Sequence, residues 1–251
     1  MNKYFFCTGA ILILLGGISC NDPKTNKVST QNDETTNVDK KEADKNTPTT
    51  EKTRELNTFV PKGYVLSEKI YGDLNKDGLK DCIIIIKGTD KKQIVKSESR
   101  GELDRNRRGI IVLLNKNDNY ELAVENFDCF SSENEDGGVY FAPELSVEIE
   151  KSNLFIHYSH GRYGYWRYAF RFQNSDFELI GYDASSSRGP VTNTEISINF
   201  LTKNRIIKEN TNENAEGGDE VFKQTATKIK RNRLIKLSEI EDFDELEVSE
   251  E

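Results

Sequence analysis

The sequence predicts an all-β domain, an antiparallel meander of about ten strands that follows an export signal and a polar linker. From Phe59 onward, short apolar runs are separated by clusters of Asn, Asp and Gly, a pattern typical of strands and turns. No segment keeps the apolar period of a sustained helix. Short turns join most of the strands, so we expect a sandwich, an open barrel or part of a propeller.

Each strand is assigned from a continuous or alternating apolar run. The run at 82–86 is continuous and rich in isoleucine, which indicates a central strand that is buried on both faces. The other predicted strands are 109–114, 120–124, 144–149, 154–158, 166–172, 177–182, 196–200, 205–208 and 227–235. In 166–172 the aromatic residues occupy alternate positions, so we expect their side chains to face the core.

The longer connections are the places where binding groups are expected, because loops carry them more often than strands do. These connections are 88–108, 128–143, 183–194 and 211–220. Near the end of the chain, residues 236–246 are expected to hold a short helical turn. Ser238 is its predicted cap, with Glu241 three residues later.

The first twenty residues have the pattern of an export signal. Lys3 is followed by an apolar run at 5–15, and small residues precede Cys20. The run is shorter than the roughly 20 residues that a membrane-spanning helix needs, which favours a cleaved signal. The segment 16–20 resembles the lipobox of bacterial lipoproteins. The other interpretations are an ordinary secreted protein, in which Cys20 has no special role, and an uncleaved N-terminal anchor.

The resemblance to a lipobox implies that residues 1–19 are removed and that Cys20 is acylated and becomes the N-terminus. Each buried methylene contributes about 0.8 kcal/mol, and one acyl chain alone anchors a protein only weakly. Several chains on Cys20 would hold the domain at a membrane. The expected location is the bacterial cell envelope, lipid-anchored and facing the periplasm or the exterior.

A polar linker is predicted between the lipidation site and the domain, at 20–57. Between Asn21 and Leu56 its large apolar residues are Val28 and Val38, too few to offset the entropy of folding. The β-rich domain is assigned to 58–246 and an acidic tail to 247–251. The net charge of −8 argues against a nucleic-acid partner, because binding to phosphates favours clustered Lys and Arg.

The predicted domain contains two cysteines, Cys82 and Cys129. In an exported protein two thiols can form a disulfide. They can also stay reduced and buried, where they behave as small apolar residues. The position of Cys82 at the start of the apolar run 82–86 suits burial, and both alternatives remain open from the sequence.

The sharpest motif is an oxygen-rich loop at 73–81 that has the spacing of a calcium site. Its candidate ligands are Asp73, Asn75, Asp77, the backbone carbonyl of Leu79, and Asp81. Gly78 allows a tight turn after the third donor, and calcium takes six to eight oxygen ligands. The start resembles an EF-hand loop, but its twelfth position is Ile84, which has no side-chain oxygen.

The stretch 71–86 resembles the calcium loops of the FG-GAP and related VCBS repeats. In those families the loop joins two strands of a propeller blade and the ion is mainly structural. The resemblance implies the five ligands named above and a structural calcium ion, but it covers one loop and its two strands, not a whole propeller. The alternative is a polar turn without an ion.

The candidate ligand-binding surface is the aromatic turn that contains Arg162, Tyr163 and Tyr165, whose side chains suit stacking on sugars or on a partner chain. No catalytic residue is assigned. His157 and His160 lie three apart and would point to opposite faces of a strand. No serine has an identifiable base and oxyanion hole.

The sequence therefore predicts a membrane-anchored envelope lipoprotein with a structural calcium loop and a binding or scaffolding role. One alternative is a module that binds a glycan or another envelope protein through the aromatic turn. A second is a hydrolase acting on envelope polymers, which would need two convergent carboxylates in a cleft. Whether the chain is an enzyme is left open, and a non-catalytic role is favoured.

Overall fold

The computed structural model describes residues 56–117, 119–135 and 142–248, which all belong to one unit. The predicted signal, Cys20 and most of the predicted linker lie outside the described residues, as does the end of the predicted acidic tail. The described ranges confirm the all-β prediction. Within them, no helix is long and apolar enough to cross a membrane.

Thirteen strands are found in these ranges. They are β1 (Tyr64–Gly72), β2 (Asp81–Gly88), β3 (Ile94–Ser97), β4 (Gly101–Asp104), β5 (Arg108–Lys116), β6 (Asn119–Phe130), β7 (Glu144–Glu150), β8 (Asn153–Ser159), β9 (Gly164–Gln173), β10 (Asp176–Arg188), β11 (Val191–Asn199), β12 (Asn204–Asn210) and β13 (Phe222–Lys228). Three short 3-10 turns, Lys91–Gln93, Gly161–Tyr163 and Leu237–Glu239, complete the regular elements.

The strands form three antiparallel sheets. The first has the order β1-β2-β5-β6, and the second is a seven-stranded meander in which β7 to β13 lie in chain order. The third is the β3-β4 hairpin. Most consecutive strands of the meander are joined by short turns, as expected for antiparallel neighbours, whereas the longer connection 211–221 joins β12 to β13.

The apolar runs 82–86 and 109–114 form β2 and β5, which pair with each other in the middle of the four-stranded sheet. Both strands are buried on both faces. One face contributes Ile83, Ile85 and Ile110 to a core that it shares with the seven-stranded sheet. The two larger sheets therefore pack against each other as in a sandwich.

The opposite face of the four-stranded sheet has its own smaller core. Cys82, Ile84 and Ile111 pack there with Leu56, which is 1% exposed. Leu56 lies two residues before the predicted start of the domain, so the core includes it. Full burial of such a side chain stabilises a fold by about 1.5–3 kcal/mol.

The C-terminal segment fills the shared core. Phe243 is 2% exposed, and its ring centroid lies 5.1 Å from those of Phe130 and Tyr168. Its backbone N–H donates to the carbonyl of Cys129 at 3.0 Å. Phe243 thus joins residues of both sheets across a long stretch of sequence.

Several strand boundaries differ from the prediction. The connection 88–108 contains the β3-β4 hairpin, and the connection 183–194 is mostly strand, because β10 and β11 extend to a tight turn. The predicted last strand, 227–235, was largely wrong, because β13 covers Phe222–Lys228 and most of the predicted range follows it. All seven residues of β13 are exposed, so its sequence lacks the apolar alternation that marks a half-buried strand.

The predicted capping role of Ser238 was wrong. Ser238 lies inside the 3-10 turn Leu237–Glu239, and no side chain caps that turn. The Ser238 hydroxyl instead donates to the carboxylate of Asp176, which ties the turn to β10. A long-range hydrogen bond of this kind leaves no local signature in the sequence.

Candidate functional site

The oxygen-rich loop joins β1 to β2, two neighbouring antiparallel strands. Two of its residues have left-handed backbone conformations, Lys76 with φ of 66° and Gly78 with φ of 85°. Glycine adopts this conformation without steric cost, which explains its place after the third oxygen donor. The chain therefore reverses tightly around the polar side chains of the loop.

The loop is held by hydrogen bonds between its side-chain oxygens and its own backbone. The Asp73 carboxylate accepts the N–H groups of Lys76 at 2.6 Å and Gly78 at 3.1 Å. The carboxylate of Asp77 accepts the N–H of Leu79 at 2.8 Å and the side-chain amide of Asn75 at 2.8 Å. These bonds to the charged form lower the pKa of Asp77, so the loop keeps its negative charge at neutral pH.

Asp81 stands apart from the other candidate ligands, because its side chain is fully buried. Its two carboxylate oxygens accept the backbone N–H groups of Leu74 at 2.7 Å and Asn115 at 2.9 Å. Burial raises the pKa of Asp81, although the two N–H groups oppose this effect. Asp81 thus ties the loop to β5.

The donor set suits calcium in kind, since every candidate ligand offers oxygen. Each oxygen of Asp73 and Asp77 accepts one hydrogen bond and keeps lone-pair capacity for a cation. In the part of the chain that the structure describes, however, no three His, Cys, Asp or Glu side chains converge as a metal site. One reason is that the carboxylate of Asp81 is buried and points toward the N–H groups of Leu74 and Asn115, instead of joining the carboxylates of Asp73 and Asp77.

Cys82 and Cys129 are free thiols, and both are buried. Cys82 packs in the smaller core, whereas Cys129 belongs to the core shared by the two larger sheets. The disulfide that the sequence left open is therefore not formed. Burial raises the pKa of Cys82 to about 11 and also raises that of Cys129.

The aromatic turn lies between β8 and β9. Arg162 and Tyr163 belong to the 3-10 turn, and Gly164 follows with φ of 122°. A Cβ atom on Gly164 would lie only 1.9 Å from the carbonyl oxygen of Ser185 in β10. Only glycine allows β10 to approach the turn this closely.

A cavity of about 430 Å³ opens beside this turn. It is lined by Ala142, Glu144, Ser159, His160, Gly161, Arg162 and Tyr163. Arg162 donates from Nη2 to the Tyr163 hydroxyl at 3.3 Å, and its guanidinium lies 5.3 Å from the centroid of that ring. The volume falls within the range of small-molecule sites, about 300–1,000 Å³.

Tyr165 does not line this cavity. It lies on the outward face of β9, 40% exposed, and its ring meets that of His157 edge-on at 5.5 Å between centroids. The predicted trio therefore separates into Arg162 and Tyr163 at the cavity and Tyr165 on the open face of the sheet. The aromatic residues at alternate positions, Trp166, Tyr168, Phe170 and Phe172, pack in or against the shared core, as expected.

Sequence reasoning missed the neighbours of Tyr165 on that open face. A depression of about 210 Å³ extends from Tyr165 over β10, β11 and β12, with Asp183, Glu195 and Lys208 among its lining residues. Strand alternation places each of these side chains outward, but only the register of the sheet shows that they are neighbours.

The chain matches no protein-family model, and no curated protein or solved structure matches it.

Proposed function

We propose that this chain is a bacterial envelope lipoprotein whose β-domain binds a ligand at the cavity beside the aromatic turn. The observation that carries the proposal is the position of Arg162 and Tyr163 in the wall of that cavity. A guanidinium and a phenol together offer hydrogen-bond donors and an aromatic face, the combination that recognises sugars and peptides.

A binding role is favoured over hydrolysis. Among the described residues that line the cavity, Glu144 is the one carboxylate. Hydrolysis of a glycosidic bond uses two carboxyl groups, one as general acid and the other as base or nucleophile. The cavity offers a surface for recognition without such a pair.

The binding role is tested on an array of defined bacterial glycans, probed with the purified protein. We expect binding to at least one glycan, and we expect Arg162→Ala to weaken it about tenfold, because charged hydrogen bonds are lost. Arg233→Ala is the matched control, since Arg233 is exposed and is not among the residues that line the cavity. Equal binding by both variants would contradict the assignment of the cavity.

The proposed lipid anchor is supported by the sequence pattern before Cys20. It is tested by expressing the full chain in bacteria supplied with labelled palmitate. We expect the label in the wild type and in Cys7→Ser, and we expect Cys20→Ser to lose it. A labelled Cys20→Ser variant would contradict acylation at that thiol.

We further propose a structural calcium ion in the loop between β1 and β2. The ion would be held by Asp73, Asn75, Asp77 and the carbonyl of Leu79. Asp81 would fix the loop through its hydrogen bonds with the N–H groups of Leu74 and Asn115. A bound ion would offset the mutual repulsion of the carboxylates and would link β1 to β2 in the four-stranded sheet. The proposal is supported by the spacing of the donors and by the tight hydrogen-bonded loop that presents them.

A thermal melt with calcium and with a chelator tests this second proposal. A ligand at one hundred times its dissociation constant stabilises a fold by about 2.7 kcal/mol, so we expect a clear rise in melting temperature. Asp77→Ala should abolish the rise, whereas Asp244→Ala, which removes an exposed carboxylate elsewhere, should retain it. A calcium-independent melt would reject the ion.

A further inference from the structure

The outward face of the seven-stranded sheet carries a continuous line of polar side chains. The antiparallel register places one residue from each of six neighbouring strands directly opposite the next. From β7 to β12 these residues are Glu144, Ser159, Tyr165, Ser185, Glu195 and Lys208. We call this set the outward row.

The outward row connects the two concave regions of this face. Glu144 and Ser159 line the cavity beside the aromatic turn, whereas Glu195 and Lys208 line the depression over β10 to β12. Neighbouring strands lie about 4.8 Å apart, so the five steps from β7 to β12 span about 24 Å. A surface of this length suits an extended ligand that crosses the strands.

Tyr165 lies in the middle of the outward row and borders the depression. Tyr165 is 40% exposed, and its ring has an edge-on contact with that of His157 on one side. An exposed aromatic ring on a rigid strand is a platform for stacking flat apolar faces, such as those of sugar rings. No disordered loop has to fold for that contact to form.

Charges of both signs surround the outward row, which favours a neutral ligand over a polyanion or a polycation. Arg162 lies in the cavity wall. Arg167, directly opposite Asp183 in the register, lies 3.8 Å from the carboxylate of Glu150. Lys208 Nζ lies 2.9 Å from Glu195 Oε2, so these two charges already pair with each other. Among the described residues, the carboxylates of Glu144 and Asp183 have no hydrogen-bond or ion-pair partner. Carboxylates accept hydrogen bonds from hydroxyl groups, so Glu144 and Asp183 can hold a ligand rich in hydroxyl groups.

We propose that the outward row binds a single segment of neutral polysaccharide, laid across the strands from the cavity to Lys208. The segment stacks on Tyr165 and donates hydroxyl hydrogen bonds to Glu144 and Asp183. This inference rests on the proposed binding function and extends it, because it names the ligand class and makes the cavity one end of a longer site.

The test measures binding of the full chain to chitin and cellulose oligosaccharides, from disaccharide to octasaccharide, by calorimetry. We expect affinity to rise with length until the segment spans the row. Tyr165→Ala should weaken binding of the octasaccharide about tenfold, while Tyr165→Phe, which keeps the ring, should not. Tyr71→Ala is the matched control, since Tyr71 is similarly exposed but lies in the other sheet. A melt of each variant verifies folding.

The outcomes separate this inference from the proposed function. Length-independent binding that Arg162→Ala removes and Tyr165→Ala leaves unchanged would overturn the outward row while keeping the cavity. Binding to anionic oligogalacturonate in preference to both neutral series would also overturn it. If the wild type binds no oligosaccharide of any length, the polysaccharide inference is rejected. The proposed function would then be tested as binding of a peptide at the cavity.

Discussion

The carboxylate of Asp81 accepts the backbone N–H of Asn115 at 2.9 Å, and this bond ties the start of β2 to the end of β5. Its other oxygen accepts the N–H of Leu74. The candidate calcium loop is therefore built on a buried side chain that has a structural task whether or not an ion binds.

Asp81→Asn should destabilise the fold. An amide presents one acceptor oxygen, so one of the two buried N–H groups loses its partner, at a cost of about 1–3 kcal/mol. Chemical denaturation in the presence of a chelator measures the change. Glu68→Gln, on the exposed side of β1, removes a carboxylate without a buried bond and is the control. Equal stability of the two variants would contradict the role of Asp81.

The stability difference between the wild type and Asp81→Asn should depend on pH. Burial raises the folded-state pKa of Asp81 above its unfolded value near 3.9. The contribution of this group is fully present below the unfolded value and is lost as pH rises through the raised pKa. The difference in free energy of unfolding between the wild type and Asp81→Asn should therefore become smaller from about pH 4 toward neutrality. A difference that grows over this range would refute the raised pKa of Asp81.

Tyr158→Phe should leave the free energy of unfolding unchanged or increase it. Tyr158 is 1% exposed, and its hydroxyl has no hydrogen-bond partner within the described structure. Removing a buried unsatisfied group removes a desolvation cost while the ring keeps its packing. Phe243→Ala should in contrast cost about 3–5 kcal/mol, because it leaves a cavity among aromatic rings. A loss above about 1 kcal/mol in Tyr158→Phe would reveal a bond that this hydroxyl makes.

Gly164→Ala should disrupt the aromatic turn. The added methyl group would collide with the Ser185 carbonyl, and the positive φ disfavours any side chain. We expect both a lower melting temperature and weaker ligand binding. Gly161→Ala separates backbone strain from the collision with Ser185, because Gly161 also has a positive φ but has open space around its Cβ position. Similar effects from both variants would indicate that backbone strain alone is responsible.

Cys82 and Cys129 should resist thiol reagents in the native protein. Burial raises both pKa values, so the reactive thiolate is scarce at neutral pH and access is blocked. Titration with a chromogenic disulfide is expected to detect these two thiols only after unfolding. A reductant should leave the melting temperature unchanged, and a fall in that temperature would signal a disulfide.

The sequence predicts this fold well where burial is strong. The isoleucine run of β2 and the alternating aromatics of β9 reveal their strands because the core demands apolar side chains there. β13 and the outer half of β10 are exposed and polar, so hydrogen bonding to neighbours holds them without an apolar pattern. Local sequence contains little information about such strands.

The site is predicted less completely than the fold. Arg162 and Tyr163 are identifiable as an aromatic turn, but Glu144 and Asp183 come from other strands and look like ordinary surface residues. Their convergence on one face depends on strand register, which a single sequence does not specify. The loop at 73–81 is recognisable from spacing alone, whereas the inward turn of Asp81 depends on its contact with β5.

The insertion of Phe243 between the two large sheets has a consequence for how the chain folds. Each hairpin of the meander joins strands that are adjacent in sequence, so the seven-stranded sheet can assemble locally and quickly. Phe243 lies beyond all of them, yet its ring contacts Phe130 and Tyr168. A chain synthesised from its N-terminus delivers this residue late. The shared core is therefore incomplete until the C-terminal segment of the domain has been synthesised. We expect the domain to reach its fully cooperative folded state only at that late stage.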